Sequence, residues 1–204
     1  ITVTDTTNNR YSATITVASS VDTIPFTYIP YGLEELRWSR QIKHTGTTAT
    51  GLRIFGFSAA INQNESVAII GGYTTSSSQG RVWIYHRNES SNVWVQQGAE
   101  FRSPSFTGST SQQGYSVAAY DSTIAWGAIG DSSNAGKGFV WQWDGVSAYY
   151  EVAVFSPSGI CTTTACSMGT STAMWGNYLV FGARLDAGGE GSLLVYKRTN
   201  GVWA

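Results

Sequence analysis

Residues 54–85, IFGFSAAINQNESVAIIGGYTTSSSQGRVWIY, decide the fold, because the chain repeats them. A second copy runs from Gln113 to Trp143, QGYSVAAYDSTIAWGAIGDSSNAGKGFVWQW, and a third from Met168 to Tyr196, MGTSTAMWGNYLVFGARLDAGGEGSLLVY. Each has three beats: an x-G-x-S opening, an apolar run ending in Gly-Gly or Gly-Ala, and a polar loop closed by glycine before an aromatic strand. The opening glycines are Gly56, Gly114 and Gly169, and the middle ones Gly71, Gly127 and Gly182. The loop-closing column reads Gly80, Gly138 and Gly191. A period of about 55 residues carried by three separate glycine columns is the mark of a repeat array, either propeller blades or solenoid units.

Within one unit four strands can be placed: Gly56–Ile61, Ser66–Gly71, Arg81–His86 and Trp94–Phe101. The second is apolar almost throughout in all three copies (VAII, TIAW, YLVF), as a strand buried on both faces is. The third, Val82-Trp83-Ile84-Tyr85, carries large groups suited to packing one unit on the next. Only 12% of the residues are charged, while Gly, Ser and Thr abound, which suits short strands joined by tight turns. Eight Trp and eleven Tyr add strand-forming aromatics.

Residues 1–35 do not follow the repeat. Thr2–Thr4 and Tyr11–Val17 alternate as strands do, Asn8-Asn9 is a turn signal, and Pro25 and Pro30 bracket a short strand near an edge. Arg37-Trp38-Ser39-Arg40-Gln41 resembles Val93-Trp94-Val95-Gln96-Gln97, so residues 36–44 are expected to be a late strand of a preceding unit. The organisation expected is a divergent β segment over 1–35 and repeat units over about 54–108, 112–165 and 167–204. The opening ITVTDTT has no initiator Met and no signal peptide, and reads as a mature or excised piece of a longer product.

A net charge of −1 with no basic cluster gives no footprint for nucleic acid or for a charged membrane surface. No apolar run reaches the roughly 18 residues of a membrane helix. Cys161 and Cys166 in CTTTAC lack the further ligands of a zinc site, and a local disulfide is preferred to two free thiols. That bond would place the chain in an oxidising compartment. Two sequons, at Asn64 and Asn88, fall in polar turns and are expected to carry glycans.

The pattern F-G-x-S-x-A, a short turn, apolar-Gly-Ala, then G-x-V-x-aromatic and W-x-Q-Q resembles the FG-GAP repeat, which builds the β-propeller of integrin α-chains and many surface proteins. Phe55-Gly56 matches in full, whereas Gln113-Gly114 and Met168-Gly169 keep the glycine alone. The GAP proline is absent at Gly71-Gly72-Tyr73, Gly127-Ala128-Ile129 and Gly182-Ala183-Arg184. The resemblance covers about residues 36–204 and implies an all-β propeller of four-stranded blades, as a partial ring or one completed by other copies. Calcium-binding members carry acidic loops between the first two strands. Here those connections are Asn62-Gln63-Asn64-Glu65, Asp121-Ser122 and Gly176-Asn177, too short and too poor in acid to surround the ion. This is therefore a calcium-free type, with no metal and no cofactor expected.

The long loops lie between the second and third strands, and Asp131, Asn134, Asp186 and Glu190 are the candidate binding residues there. No G-x-S-x-G elbow accompanies the two histidines, His44 and His86. Glu34, Glu35, Asp131, Asp144 and Glu151 show no repeat-related pairing of the kind glycoside hydrolysis needs. The expectation is a non-catalytic extracellular or cell-surface module that binds a protein partner or further copies of itself, with no catalytic residues. A lectin-like propeller is the alternative, with Trp126, Trp141, Trp143 or Trp175 stacking on sugars, although their strand positions favour core packing. A propeller glycosidase stands behind both.

Overall fold

The computed structural model describes residues 2–6, 10–16, 23–28, 43–44, 54–74 and 78–204. The chain divides into two compact units, Ile1–Lys43 and His44–Ala204. In the first, β1 (Thr2–Thr6), β2 (Arg10–Thr16) and β3 (Thr23–Tyr28) pair antiparallel in that order. Pro25 lies in β3, at the edge of the sheet, where a residue without an N–H is tolerated. The expected turn at Asn8-Asn9, the pair Glu34-Glu35, and residues 36–42 of the expected late strand lie outside the described residues.

Among its described residues, the second unit contains three four-stranded antiparallel sheets, each made of consecutive strands, and none closes on itself. The first is β4 (Ser58–Ile61), β5 (Val67–Gly72), β6 (Arg81–Asn88) and β7 (Val93–Gln96). The second is β8 (Gln113–Tyr120), β9 (Thr123–Ala128), β10 (Lys137–Trp143) and β11 (Tyr149–Phe155). The third is β12 (Met168–Trp175), β13 (Tyr178–Ala183), β14 (Ser192–Thr199) and β15 (Val202–Trp203). The fourth strand of the first sheet is shorter than its aromatic pattern suggests. Its ladder ends at Gln96 with one further bond, from the Gln97 N–H to the Ile84 carbonyl at 2.8 Å, and pairing returns at Phe101, which exchanges backbone bonds with Val82 at 3.0 and 2.7 Å.

Apolar side chains cement the sheets in sequence. Val67, Ile69, Val82 and Ile84 of the first sheet pack against Val117, Ala119, Trp126 and Phe139 of the second. Ala125 and Val140, on the opposite face of the second, pack with Leu179, Phe181, Leu194 and Tyr196 of the third. All six residues of β9 are buried, as the unbroken apolar run TIAWGA foretells for the sheet held between two others.

The glycine columns explain how the sheets come so close. Opening glycines Gly114 and Gly169 sit in β-bulges, at φ +78 and +89, conformations that L side chains rarely adopt. Each bulge presses its backbone onto the middle glycine of the preceding sheet. A Cβ on Gly71 would lie 2.1 Å from the Gly114 carbonyl oxygen, and one on Gly127 would lie 2.1 Å from that of Gly169. The serine of the x-G-x-S opening completes the joint. Ser58 Oγ donates to the Gly114 carbonyl at 2.9 Å, and Ser116 Oγ to the Gly169 carbonyl at 2.7 Å.

The third column needs a correction. Gly80 bridges Gln113, and its counterpart Gly136, not Gly138, bridges Met168. Gly136 and Gly191 also make the same bond, donating to the Asp131 and Asp186 carbonyls at 3.0 and 3.0 Å. Gly138 is instead the counterpart of Val82, and there a Cβ would meet the Phe181 ring at 2.3 Å.

Gly182 belongs to the middle column, but its built Cβ is crowded only by its own sheet's Ser171 hydroxyl, a group that can rotate away. We expect Gly127→Val to cost at least about 3 kcal/mol in denaturant unfolding, since backbone blocks backbone, and Gly182→Val about 1 kcal/mol or less. Equal losses would contradict the joint.

Candidate functional site

The strand order places the β5–β6, β9–β10 and β13–β14 loops at one end of the sheets, together with the segments that lead into β8 and β12. The turn between β4 and β5 and that between β6 and β7 lie at the other. The four candidate binding residues of the long loops separate into two kinds. Asp131 and Asp186 are buried, whereas Asn134 and Glu190 are exposed.

The two aspartates do equivalent work, each four residues after a middle glycine. Asp131 Oδ2 accepts the Thr107 N–H at 2.9 Å, Oδ1 accepts the Ser132 hydroxyl at 2.8 Å, and Lys137 Nζ stands 3.2 Å from Oδ1. Lys137 also donates to the Ser105 carbonyl and the Thr107 hydroxyl at 3.0 and 2.7 Å. Asp186 Oδ1 accepts the Thr162 N–H at 2.7 Å, the Thr162 hydroxyl at 2.9 Å and the Thr163 N–H at 3.2 Å. Each carboxylate thus pins the segment that leads into the bulge of its own sheet. Among the acids that show no repeat-related pairing of the kind glycoside hydrolysis needs, Asp131 still has a repeat-related structural partner. Counting from the middle glycine finds that partner in Asp186.

Other acids are similarly engaged. Glu151 accepts the Ser103 hydroxyl, the Ser105 hydroxyl at 2.5 Å and the Trp141 indole N–H at 3.2 Å. Asp144 Oδ1 accepts the N–H groups of Val146, Ser147 and Ala148 in the β10–β11 turn, and the Ala148, Val146 and Ser147 amides together hold its pKa below the usual range. His86 is half-buried, its Nε2 lying 3.0 Å from the Tyr149 hydroxyl, and burial lowers its pKa. Burial raises that of Tyr149. Among the described residues no group of three His, Cys, Asp or Glu side chains is arranged to hold a metal.

Cys161 and Cys166 form a disulfide that closes the loop ahead of β12. Between this loop and the β9–β10 loop lies a cleft of about 360 Å³, lined mainly by hydroxyls: Ser132, Ser156, Ser158, Thr162, Thr163 and Thr164. Such a wall offers hydrogen-bond donors and acceptors without charge, which suits a neutral polar ligand. The tryptophans weighed for sugar stacking also divide. Trp126 is fully buried, Trp141 and Trp143 are partly buried, and Trp175 is 70% exposed at the β12–β13 hairpin, its ring 5.1 Å from Tyr120.

At the opposite end, Asn64 and Asn88 are both exposed on the first sheet. Arg87 ties their turns together, donating through Nε to the Glu65 carbonyl at 2.7 Å and through Nη1 to Asn92 Oδ1 at 3.0 Å. No helix among the described residues is long and apolar enough to cross a membrane. No protein-family model matches the chain, and no characterised protein matches its sequence.

Asp186 gives this loop scaffold an acid limit. Hydrogen bonds, first from the Ser192 hydroxyl and then from Thr162 and Ala187, lower its pKa in the folded state. The unfolded value is about 3.9, so the stabilisation is complete above about pH 4 and fades as pH falls from there toward the folded value. We expect thermal melts between about pH 5 and 2 to show a loss of stability that Asp186→Asn reduces. An unchanged pH slope in that variant would refute the anchoring role.

Proposed function

We propose that this chain is a non-catalytic extracellular interaction and structural module, built of calcium-free FG-GAP-like propeller blades. The observation that carries the reading is the repeated joint. Two successive copies of one glycine-and-serine contact stack like sheets and deliver their long loops to a common end. Rigid scaffolds that display loops on one rim are the usual way repeat proteins bind partners. The internal engagement of Asp131, Asp186, Glu151 and Asp144 supports a binding rather than a catalytic role.

An extracellular setting is supported by the disulfide and by the two exposed sequon asparagines, which share one end and leave the loop end uncovered. Expression through a eukaryotic secretory pathway tests this part. We expect endoglycosidase-sensitive mass that falls in steps with Asn64→Gln and Asn88→Gln, and no free thiol before reduction. Native material with unmodified sequons and two reactive thiols would refute it.

The exposed Trp175 specifically favours a lectin-like second reading. Under it, neutral oligosaccharides would quench tryptophan emission, and Trp175→Ala would abolish the effect. No quenching across a broad glycan panel removes that reading and leaves a protein partner.

A further inference from the structure

The third sheet carries an open copy of the socket that receives the next sheet. In the first joint, Gly71 and Gly80 seat the backbone of Gln113 and Gly114; in the second, Gly127 and Gly136 seat Met168 and Gly169. The corresponding pair on the third sheet, Gly182 and Gly191, lines a cleft of about 440 Å³ together with Ser171, the counterpart of the donor serines Ser58 and Ser116. The apolar surface beside it is equally uncovered. Leu193 and Val195 are 65% and 57% exposed, whereas their counterparts Val82 and Ile84 on the first sheet are fully buried.

The matching knob lies on the first sheet. Gly56 holds φ +91, close to the +89 of Gly169, yet none of the described residues stands within 4 Å of its Cβ position. Ile61, counterpart of the buried Ala119, is 53% exposed, and Ala59, counterpart of the buried Val117, is exposed as well. In both internal joints the opening strand of the incoming sheet makes most of the contact, β8 lying across β4 and β5, and β12 across β8 and β9. The outer part of the first sheet's leading face, Trp83 and Tyr85, is already buried. The association therefore runs through the inner strand.

We propose that the Gly182–Gly191 socket binds the Ile54–Ile61 segment, which leads into and includes β4, of a second copy of this chain, head to tail. Gly56 would enter as Gly114 and Gly169 do, and the Ser171 hydroxyl would donate to its carbonyl. This deepens the reading of the chain as an interaction and structural module by naming a second copy as the partner, and rests on the repeat joint of that reading. Because the two faces differ, the contact is heterologous, and repetition gives a ring, which two copies can already close by filling each other's sockets, or an open string.

Sedimentation velocity of the full chain from about 1 to 100 µM reads this directly, since that range spans micromolar dissociation constants. The wild type is expected to pass from monomer to a larger species with concentration, either a closed ring or a lengthening string. Gly182→Val or Leu193→Glu, which alter the socket, and Ile61→Glu, which alters the knob, should each weaken self-association by at least about tenfold. Circular dichroism confirms that the variants fold, and Leu193→Glu and Ile61→Glu, at exposed positions, keep the test valid if Gly182→Val does not. Mixing Leu193→Glu with Ile61→Glu chains should restore a complex that stops at 1:1, because one partner keeps its knob and the other its socket. A monomeric wild type, or association untouched by all three substitutions, overturns the proposal, and a mixture that fails to pair overturns its head-to-tail geometry. None of these outcomes bears on the glycan and thiol measurements, which test the extracellular reading separately.

Discussion

Two backbones can approach this closely only where neither carries a side chain. At Gly71 against Gly114, and again at Gly127 against Gly169, a single added carbon would overlap a carbonyl oxygen of the adjacent sheet. The remaining features of the second unit follow from that contact. The bulges that place Gly114 and Gly169, the serines that donate to their carbonyls, and the apolar side chains that close around them all serve one approach distance. Packing at interior density leaves no room to relocate an overlapping carbon.

The same constraint accounts for the distribution of the few charges. The bulge must be held while it reaches across to its neighbour, so the segment before it needs an anchor. Asp131 and Asp186 supply it from within their own sheets, accepting main-chain N–H groups at Thr107 and Thr162. A buried carboxylate survives only when donors surround it, and each of these meets that condition. The loop end that results is polar and hydroxyl-rich, with Asp131 and Asp186 turned inward.

Most of the architecture was legible because glycine spacing and apolar runs are local records of non-local contacts. The middle column and the β9 run TIAWGA announced a sheet covered on both faces, and β9 is buried throughout. The third column misled at Gly138, because two glycines stand two residues apart in GKG and only backbone pairing shows that Gly136 meets Met168. The candidate binding residues stand out in the sequence as polar groups in long loops. That criterion could not separate Asp131 and Asp186, which face inward, from Asn134 and Glu190, which face solvent. Trp175 shows the same limit in reverse, since a strand-end tryptophan looks like core until the sheet beside it is known.

The central claim is that the three sheets are one cooperative body because their joints share backbone contacts. Fluorine NMR of 5-fluorotryptophan protein during denaturant unfolding tests it most directly, as Trp83, Trp126 and Trp203 report from the first, second and third sheets. The account predicts a single midpoint for all three signals, shifted equally at all three by Ser116→Ala, which removes one hydroxyl from the second joint. Three separate midpoints, or a shift confined to one sheet, would contradict it.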